Sequence, residues 1–569
     1  MKQKALRAAL FAIIVLFAQE SYSVDRKHGR SMVITRQGIV ATSQTLASQA
    51  GAQVLARGGS AVDAAIAANA VLAVVEPMMN GIGGDLFAIY RDRKTGKLTG
   101  LNASGWAPKG LSLEFFKEHG LTAMPQEGIH TVTVPGCVEG WAKLHRKFGR
   151  LSWAELFQPA IYYARNGFPV TELIAATWQS LTTKLESDTE GRRVFLPGGK
   201  APQTGQIFRN PDLANALNVL AQGGADAFYR GPITESILAT SQSLGGKLKA
   251  EDFAEFQSEW VEPISTEYRG WKVYELPPNG QGMAALEMLN IMECFSIPDY
   301  DPRSVEAYHL KIESMKLAYQ DLQRFLGDPR FVKVPVPGLL SKSYAAERAK
   351  LIDPDKATCD VSPGEPTGGD GDTIYLSVID KDGNIVSLIQ SLYLGFGSGV
   401  VVKGMGFHLQ NRGALFVLDP HHPNVIAPRK RPFHTIIPAY MEKGTIHIGF
   451  GIMGGLNQAQ AHAQFVSNIV DHGMNIQTAL EAPRFTKRNF GGCDVAIESR
   501  LPVAVLEGLK RKGHDLDLRG EYDDIVGGGQ AVLDDSATGI HYGASSPRKD
   551  GAAIPEPDPY FVLQGRVNN

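Results

Sequence analysis

The sequence predicts a mixed α+β fold, interrupted once between two unequal parts. Three observations carry this. GGSAVDAAIAANAVLAVVEP (58–77) reads as a turn followed by an alanine-rich helix. The middle, roughly 110–330, is mostly helical in its patterning: in VEAYHLKIESMKLAYQDLQRFLGDP (305–329) apolar residues recur at three- and four-residue intervals until Gly327 and Pro329 stop them. Beyond 372, strand-like runs dominate, TIYLSVID, IVSLIQSLYL and TIHIGF.

Taken in order, the chain opens with MKQKALRAALFAIIVLFAQESYS. Its basic start (Lys2, Lys4, Arg7), its apolar run over 8–18 and the small residues Ser21 and Ser23 describe a secretory signal peptide, residues 1–23. The apolar run is short for a bilayer span, so a membrane anchor is the weaker reading. The mature chain is therefore expected outside the cytoplasm, periplasmic or secreted, with no membrane attachment once the signal is removed. Four cysteines, Cys137, Cys294, Cys359 and Cys493, are widely spaced. Export would allow them to pair, but the expectation is free buried thiols. A net charge of −2 gives no basic footprint, so nucleic acid is not an expected partner. No zinc-finger or zincin spacing is present, and no metal or organic cofactor is expected.

After the first helix, GIGGDLFAIY (81–90) is a glycine loop leading into a strand. It has neither Walker nor dinucleotide spacing, so it reads as backbone that closely approaches another element, with the active site as the candidate. ELPPNGQGMAALEML (275–289) is a turn-rich loop entering a helix. PDKATCDVSPGEPTGGDGD (354–372) is rich in Pro, Gly and Asp and reads as an exposed linker, prone to cutting and the best boundary in the chain. QAQAHAQFVSNIVDHG (458–473) reads as a helix stopped by Gly473.

The chemistry centres on Thr373, which heads the strand after that linker. A threonine hydroxyl is a poor nucleophile until a base takes its proton. An N-terminal threonine carries its own base, an α-amine with a reference pKa of about 8. Thr373 gains that amine only if the Asp372–Thr373 bond breaks; otherwise it is an ordinary β-branched strand residue. The Asp382–Gly383 pair predicts a hairpin. A two-residue turn would place Leu392 opposite Thr373, whereas a three-residue connection with a bulge would place Ser391 there. Gly454 and Gly455, between a strand and a helix, are either a plain turn or backbone donors for an oxyanion.

Together these pieces resemble the γ-glutamyltransferase (glutathione hydrolase) family of N-terminal-nucleophile hydrolases. The resemblance runs through GGSAVDAAIAANAVLAVVEPMMNGIGGDLFAIY, VTVPGCVEGW, ELPPNGQG, SMKLAYQDLQRFLGDPRF, DTIYLSVIDKDGN, FGSG and the MGG before a helix. It implies a four-layer αββα sandwich. It implies self-cleavage between Asp372 and Thr373 into a large subunit (24–372) and a small subunit (373–569) that stay together. Thr373 would be the nucleophile, Ser391 the hydroxyl that steadies it, and Gly454 and Gly455 the oxyanion pair. The substrate would be a small-molecule amide, with water or an amine as acceptor.

The substrate-binding positions depart from the family pattern. Ser104, in ASGWAPKG, stands where an arginine is usual. His434 and Thr435, in RPFHTIIP, replace a serine pair. Tyr393, Arg412 and Leu415 occupy the places of the residues that hold an α-amino group. A carboxylate without its arginine loses a charge-assisted bidentate pair. The pattern resembles the family's divergent branch of oxamate amidohydrolase-like and cephalosporin acylase-like enzymes, so a non-glutamyl amide fits better than glutathione. Arg412, with His434 and Thr435 and with Asn411 and Tyr393 alongside, is expected to bind a carboxylate in a different pose; a structural ion pair is the alternative reading of Arg412. A catalytically silent binding protein on this fold is the remaining alternative, and absence of self-cleavage would favour it.

Overall fold

Strands that are apolar on every residue need cover on both faces, because successive side chains point to opposite sides. The run from Thr373 to Ile379, apolar except at Thr373 and Ser377, is buried at every residue and needs the same cover. Ile374, Leu376 and Val378 pack with the helices on one side, while Tyr375 and Ile379 pack toward a second sheet. In the computed structural model, which describes residues 29–359, 372–489 and 491–562, this pattern builds two stacked sheets with helices on both outer faces. The expected signal peptide lies outside the described residues, as does most of the 354–372 linker.

Fourteen strands form the sandwich: β1 (Val33–Thr35), β2 (Ile39–Thr42), β3 (Asp85–Arg91), β4 (Leu98–Ala103), β5 (Glu259–Val261), β6 (Ile264–Tyr268), β7 (Trp271–Glu275), β8 (Asp372–Ile379), β9 (Ile385–Tyr393), β10 (Ala439–Lys443), β11 (Ile446–Ile452), β12 (Gly529–Asp535), β13 (Ile540–Ser545) and β14 (Ala552–Pro555). One seven-stranded sheet runs β14-β2-β8-β9-β3-β4-β5, and the other runs β1-β13-β12-β11-β10-β7-β6. All their pairings are antiparallel. Between the sheets lies a layer that includes Phe87, Ile89, Tyr375, Ile385, Ile389, Ile436, Tyr440 and Val532.

The alanine-rich stretch forms the helices α1 (Thr45–Ala56) and α2 (Ala61–Val75) on the outer face of the first sheet. Ser60 and Asp63 close a capping box at the start of α2, and every residue of α2 is buried. The small side chains let the helix lie close to β8 and β9. On the other face, α3 (Gly282–Met292), α4 (Val305–Phe325) and α5 (Asn457–Val470) cover the second sheet. Helix α4 ends just before Gly327, and Gly473, at φ +64°, follows the end of α5. Helices, sheet, sheet and helices give the four-layer αββα sandwich.

One expectation is refined and one is corrected. The middle region is mostly helical, as its patterning predicts, but not entirely: β5, β6 and β7 lie within it, and the chain steps from one sheet to the other between Val261 and Ile264. These strands are only three to five residues long and mix polar with apolar residues (EWV, ISTEY, WKVYE), too short for their alternation to register in the sequence. Nor are all four cysteines free buried thiols. Cys359 and Cys493 form a disulfide with Cα atoms 4.8 Å apart, and of the free thiols Cys137 is buried but Cys294 is exposed. The paired residues are separated by 134 positions, so only the fold brings them together.

Candidate active site

The turn after β8 sets the register. Asp380 N–H donates to Asn384 O at 3.1 Å, enclosing Lys381, Asp382 and Gly383, and Gly383 takes φ +82°. The Asp380 carboxylate accepts the backbone N–H groups of Asp382 and Asn384 and so holds the loop. Pairing then runs evenly from Ile379↔Ile385 to Ile374↔Gln390 and shifts by one residue at Asp372↔Tyr393. The three-residue connection with a bulge is therefore the one formed. Thr373 Oγ1 donates to Ser391 Oγ at 3.2 Å, and both residues are buried. Ser391 Oγ also accepts the Tyr393 N–H at 2.7 Å, where Tyr393 adopts φ +81°.

On its other side Ser391 pairs with Asp85, the first residue of β3. A row of Thr373, Ser391 and Asp85 thus crosses the end of the sheet. The GIGG loop makes this possible: a Cβ on Gly84 would sit 2.5 Å from the Ser391 carbonyl oxygen, so only glycine permits the approach.

Gly454 and Gly455 follow β11 at φ +116° and +59°. Their carbonyls accept the N–H groups of Asn457 and Gln458, which start α5. Neither glycine N–H donates to another backbone or side-chain group among the described residues. Gln458, from the first turn of α5, reaches 3.5 Å from Thr373 Oγ1 while its Oε1 accepts the Ile437 N–H. Thr373, Leu394 and Gly454 line a cavity of about 840 Å³, open at one side to solvent.

Beneath this row lies a buried ionic network. Arg412 Nε donates to Asp85 Oδ2 at 3.2 Å, Arg412 Nη1 donates to Thr435 Oγ1 at 2.7 Å, and the guanidinium lies 4.9 Å from the Tyr393 ring centroid. His434 Nε2 is 2.5 Å from Asp85 Oδ2, and its Nδ1 accepts the Ile436 N–H. That arrangement makes His434 a neutral donor at Nε2. Burial drives the His434 pKa down to about 4, the Arg412 charge adding to the fall although Asp85 opposes it. Burial alone would raise the Asp85 carboxyl, but Arg412 and His434 more than offset it and hold it below its ordinary value. Arg412 is itself lowered by burial, with Asp85 countering.

The ion pair considered for Arg412 is thus present, and Arg412, His434 and Thr435 do not line the cavity. Tyr393 lies between this network and Ser391. Asn411 supports the cavity wall: its Oδ1 accepts the Leu394 N–H and its Nδ2 donates to Gln126 O. Ser104 belongs to a different buried cluster, donating to Asn102 Oδ1 at 2.7 Å and accepting from Asn279 Nδ2, with Arg431 Nε on its carbonyl. Asp372 supplies backbone at the start of β8.

Sequence reasoning missed Asp85, Gln458 and Gln281. Gln281 Nε2 donates to the carbonyl of Gly455 at 2.8 Å. Each stands inside a quoted motif, beside the glycines that drew attention, but their partners are remote in sequence. His309, Glu313 and His514 form the one group among the described residues whose ligand atoms cluster as a metal site would, within 4.8 Å. Glu313 is ion-paired with Lys316 at 2.7 Å, and His309 is hydrogen-bonded to both His514 and Asp353 O. An ammonium within the cluster opposes a cation there.

A family model described as Gamma-glutamyltranspeptidase matches residues 47–556. The chain is 38% identical over 530 residues to the glutathione hydrolase-like YwrD proenzyme of Bacillus subtilis, covering 92% of this chain and 99% of that one. It is 34% identical over 531 residues to the oxamate amidohydrolase proenzyme of Klebsiella pneumoniae, covering 91% and 98%. Among solved structures, the cephalosporin acylase from Bacillus halodurans superposes with a TM-score of 0.87 at 42% identity, covering 95% of this chain and 99% of that one.

Proposed function

Because the chain belongs to the gamma-glutamyltranspeptidase family, a family of N-terminal-nucleophile hydrolases whose relatives here are named as proenzymes, we propose that it is an exported precursor that cuts itself between Asp372 and Thr373 and then hydrolyses amides through an acyl–Thr373 intermediate. The observation that carries this reading is the Thr373–Ser391 hydroxyl pair at 3.2 Å, with Thr373 lining the same cavity as Gly454.

In the processing step, Thr373 Oγ attacks the Asp372 carbonyl carbon. The peptide C–N bond breaks, the nitrogen takes a proton, and an ester remains. Water hydrolyses the ester, leaving residues 24–372 with a C-terminal carboxylate and 373–569 with a free Thr373 amine. In turnover, that amine takes the Oγ proton as Oγ attacks the substrate carbonyl. The N–H groups of Gly454 and Gly455 receive the oxyanion. The intermediate collapses, the proton passes to the leaving amine, and water or a second amine takes the acyl group from Thr373. Ser391 holds Oγ in line, and Gln458 approaches it from the helix side.

Arg412 enters as a positioning residue. Its charge is met by Asp85, and the pair fixes Tyr393 and the Ser391 end of β9. With Ser104 in place of an arginine, a γ-glutamyl group lacks its usual carboxylate partner, and a non-glutamyl amide is the better fit; glutathione remains the family's default substrate. The Thr373→Ala variant tests the reading. It should remain a single chain under reducing conditions and lose amide hydrolysis by at least about 10³-fold. A variant that is still cut and active would overturn it.

A further inference from the structure

The cavity in front of Thr373 carries charge of both signs, and most of it is already paired. Lys184 Nζ donates to Gly397 O at 2.6 Å and lies 3.1 Å from Glu127. Arg519 is ion-paired with Asp517. Asp523 accepts the Ile525 N–H at 3.0 Å. Lys549 is different. The residue is only 7% exposed and lines the cavity, yet its ammonium makes no hydrogen bond or ion pair with any described residue. An anion entering the cavity would find there a cation with no counterion among the described residues, and a charge-assisted hydrogen bond to it would be stronger than a neutral one.

The fold places that ammonium deliberately. The preceding residue, Arg548, is fully buried and clamped: Nε and Nη2 donate to the two oxygens of Glu498 at 2.6 and 2.5 Å, and Nη1 donates to Leu480 O. The backbone beside 549 is therefore anchored, and Lys549 lines the cavity while Arg548 does not. The Lys549 stem runs over Gly528, where a Cβ would fall 2.4 Å from Lys549 Cγ, so the glycine leaves a channel for the stem. Gly528 O accepts the N–H of Met453, the residue before Gly454. Stem, channel and oxyanion loop form one unit.

We propose that Lys549 is a specificity residue that receives the carboxylate of an amide substrate whose carbonyl lies at Thr373. The proposal rests on the Thr373 reading and names the substrate class as an acyl group bearing a remote carboxylate. A lysine suits this role because its ammonium is a point charge with rotatable donors, tolerant of acyl chains of different length. Arg412, buried and paired, does not reach the cavity.

The test uses matched chromogenic amides with the processed full-length protein: the succinyl and glutaryl p-nitroanilides against their butyryl and pentanoyl counterparts, which replace the carboxylate with a methyl group. In Lys549→Met, kcat/KM for the carboxylate-bearing amides should fall by about 10- to 100-fold more than for the neutral ones, chiefly through KM. Lys549→Arg should recover most of the loss. Equal losses on both series, or none, would overturn the proposal while leaving Thr373 as nucleophile. Calorimetric titration with glutarate reads Lys549 without turnover: binding at least about tenfold weaker in Lys549→Met supports it, and equal binding, or none to the wild type, overturns it. A wild type that binds glutarate but hydrolyses no amide would count against the Thr373 reading alone.

Discussion

At the scale of single residues, the site depends on one buried carboxylate. Asp85 balances the Arg412 charge and accepts from His434, with all three fully buried. Removing one partner of such a pair leaves an uncompensated charge, so Asp85→Asn should cost about 3–5 kcal/mol. Urea unfolding would measure this, and Asp85→Asn combined with Arg412→Met should recover part of the loss. An unchanged midpoint in the single variant would contradict the ion-pair assignment. His434 adds a pH dependence. Its pKa falls from 6.5 to about 4 in the folded chain, so the unfolded chain binds the proton first as pH falls. Its contribution is fully present above about pH 6.5 and is lost toward pH 4, amounting to roughly 3 kcal/mol. His462, lowered to about 3, acts in the same direction. Stability measured at pH 7 and pH 5 should therefore fall with pH, and less steeply in His434→Gln.

At the scale of elements, the hairpin register and the glycine loops carry the geometry. The Gly84 backbone lies against Ser391 O, so Gly84→Ala must displace β9. It should cost about 1–3 kcal/mol and slow self-cleavage. Gly454 lines the cavity at φ +116°, a backbone conformation that disfavours a side chain, so Gly454→Ala should add strain of about 1–3 kcal/mol there and, through the proposed oxyanion role, depress kcat. Normal cleavage and turnover in both variants would contradict these assignments. Much of this level was legible in the sequence. The run TIYLSVID marked a strand, and Gly327 and Gly473 marked helix ends. The choice between Leu392 and Ser391 opposite Thr373 was not legible, because it turns on one residue of loop length that Asp380 decides through its contacts. The β5–β7 hairpin region escaped for a similar reason, its short strands taking their stability from the sheet edges they join.

At the scale of the whole molecule, the residues that meet at the site come from segments far apart. Arg412 and His434 were grouped through the family resemblance alone, nothing in the sequence tied Asp85 to them, and Lys549 gave no signal near a recognised motif. Thr373, by contrast, stood out in the sequence because it heads a strand directly after a glycine-rich linker, and the family resemblance supplied the expectation that it is the nucleophile. The disulfide adds a consequence for processing. Cys359 lies on the large-subunit side of Thr373 and Cys493 on the small-subunit side. Cleavage before Thr373 should therefore give fragments that stay covalently joined without reductant. A denaturing gel should show one band unreduced and two bands reduced; two bands in both lanes would contradict the Cys359–Cys493 pairing.

The most direct measurement of the central claim is N-terminal sequencing of the small fragment released by reduction of the purified protein. The account predicts a fragment beginning TIYLSV in the wild type and none in Thr373→Ala. A stable, uncut wild-type chain, or a fragment beginning elsewhere, would contradict it.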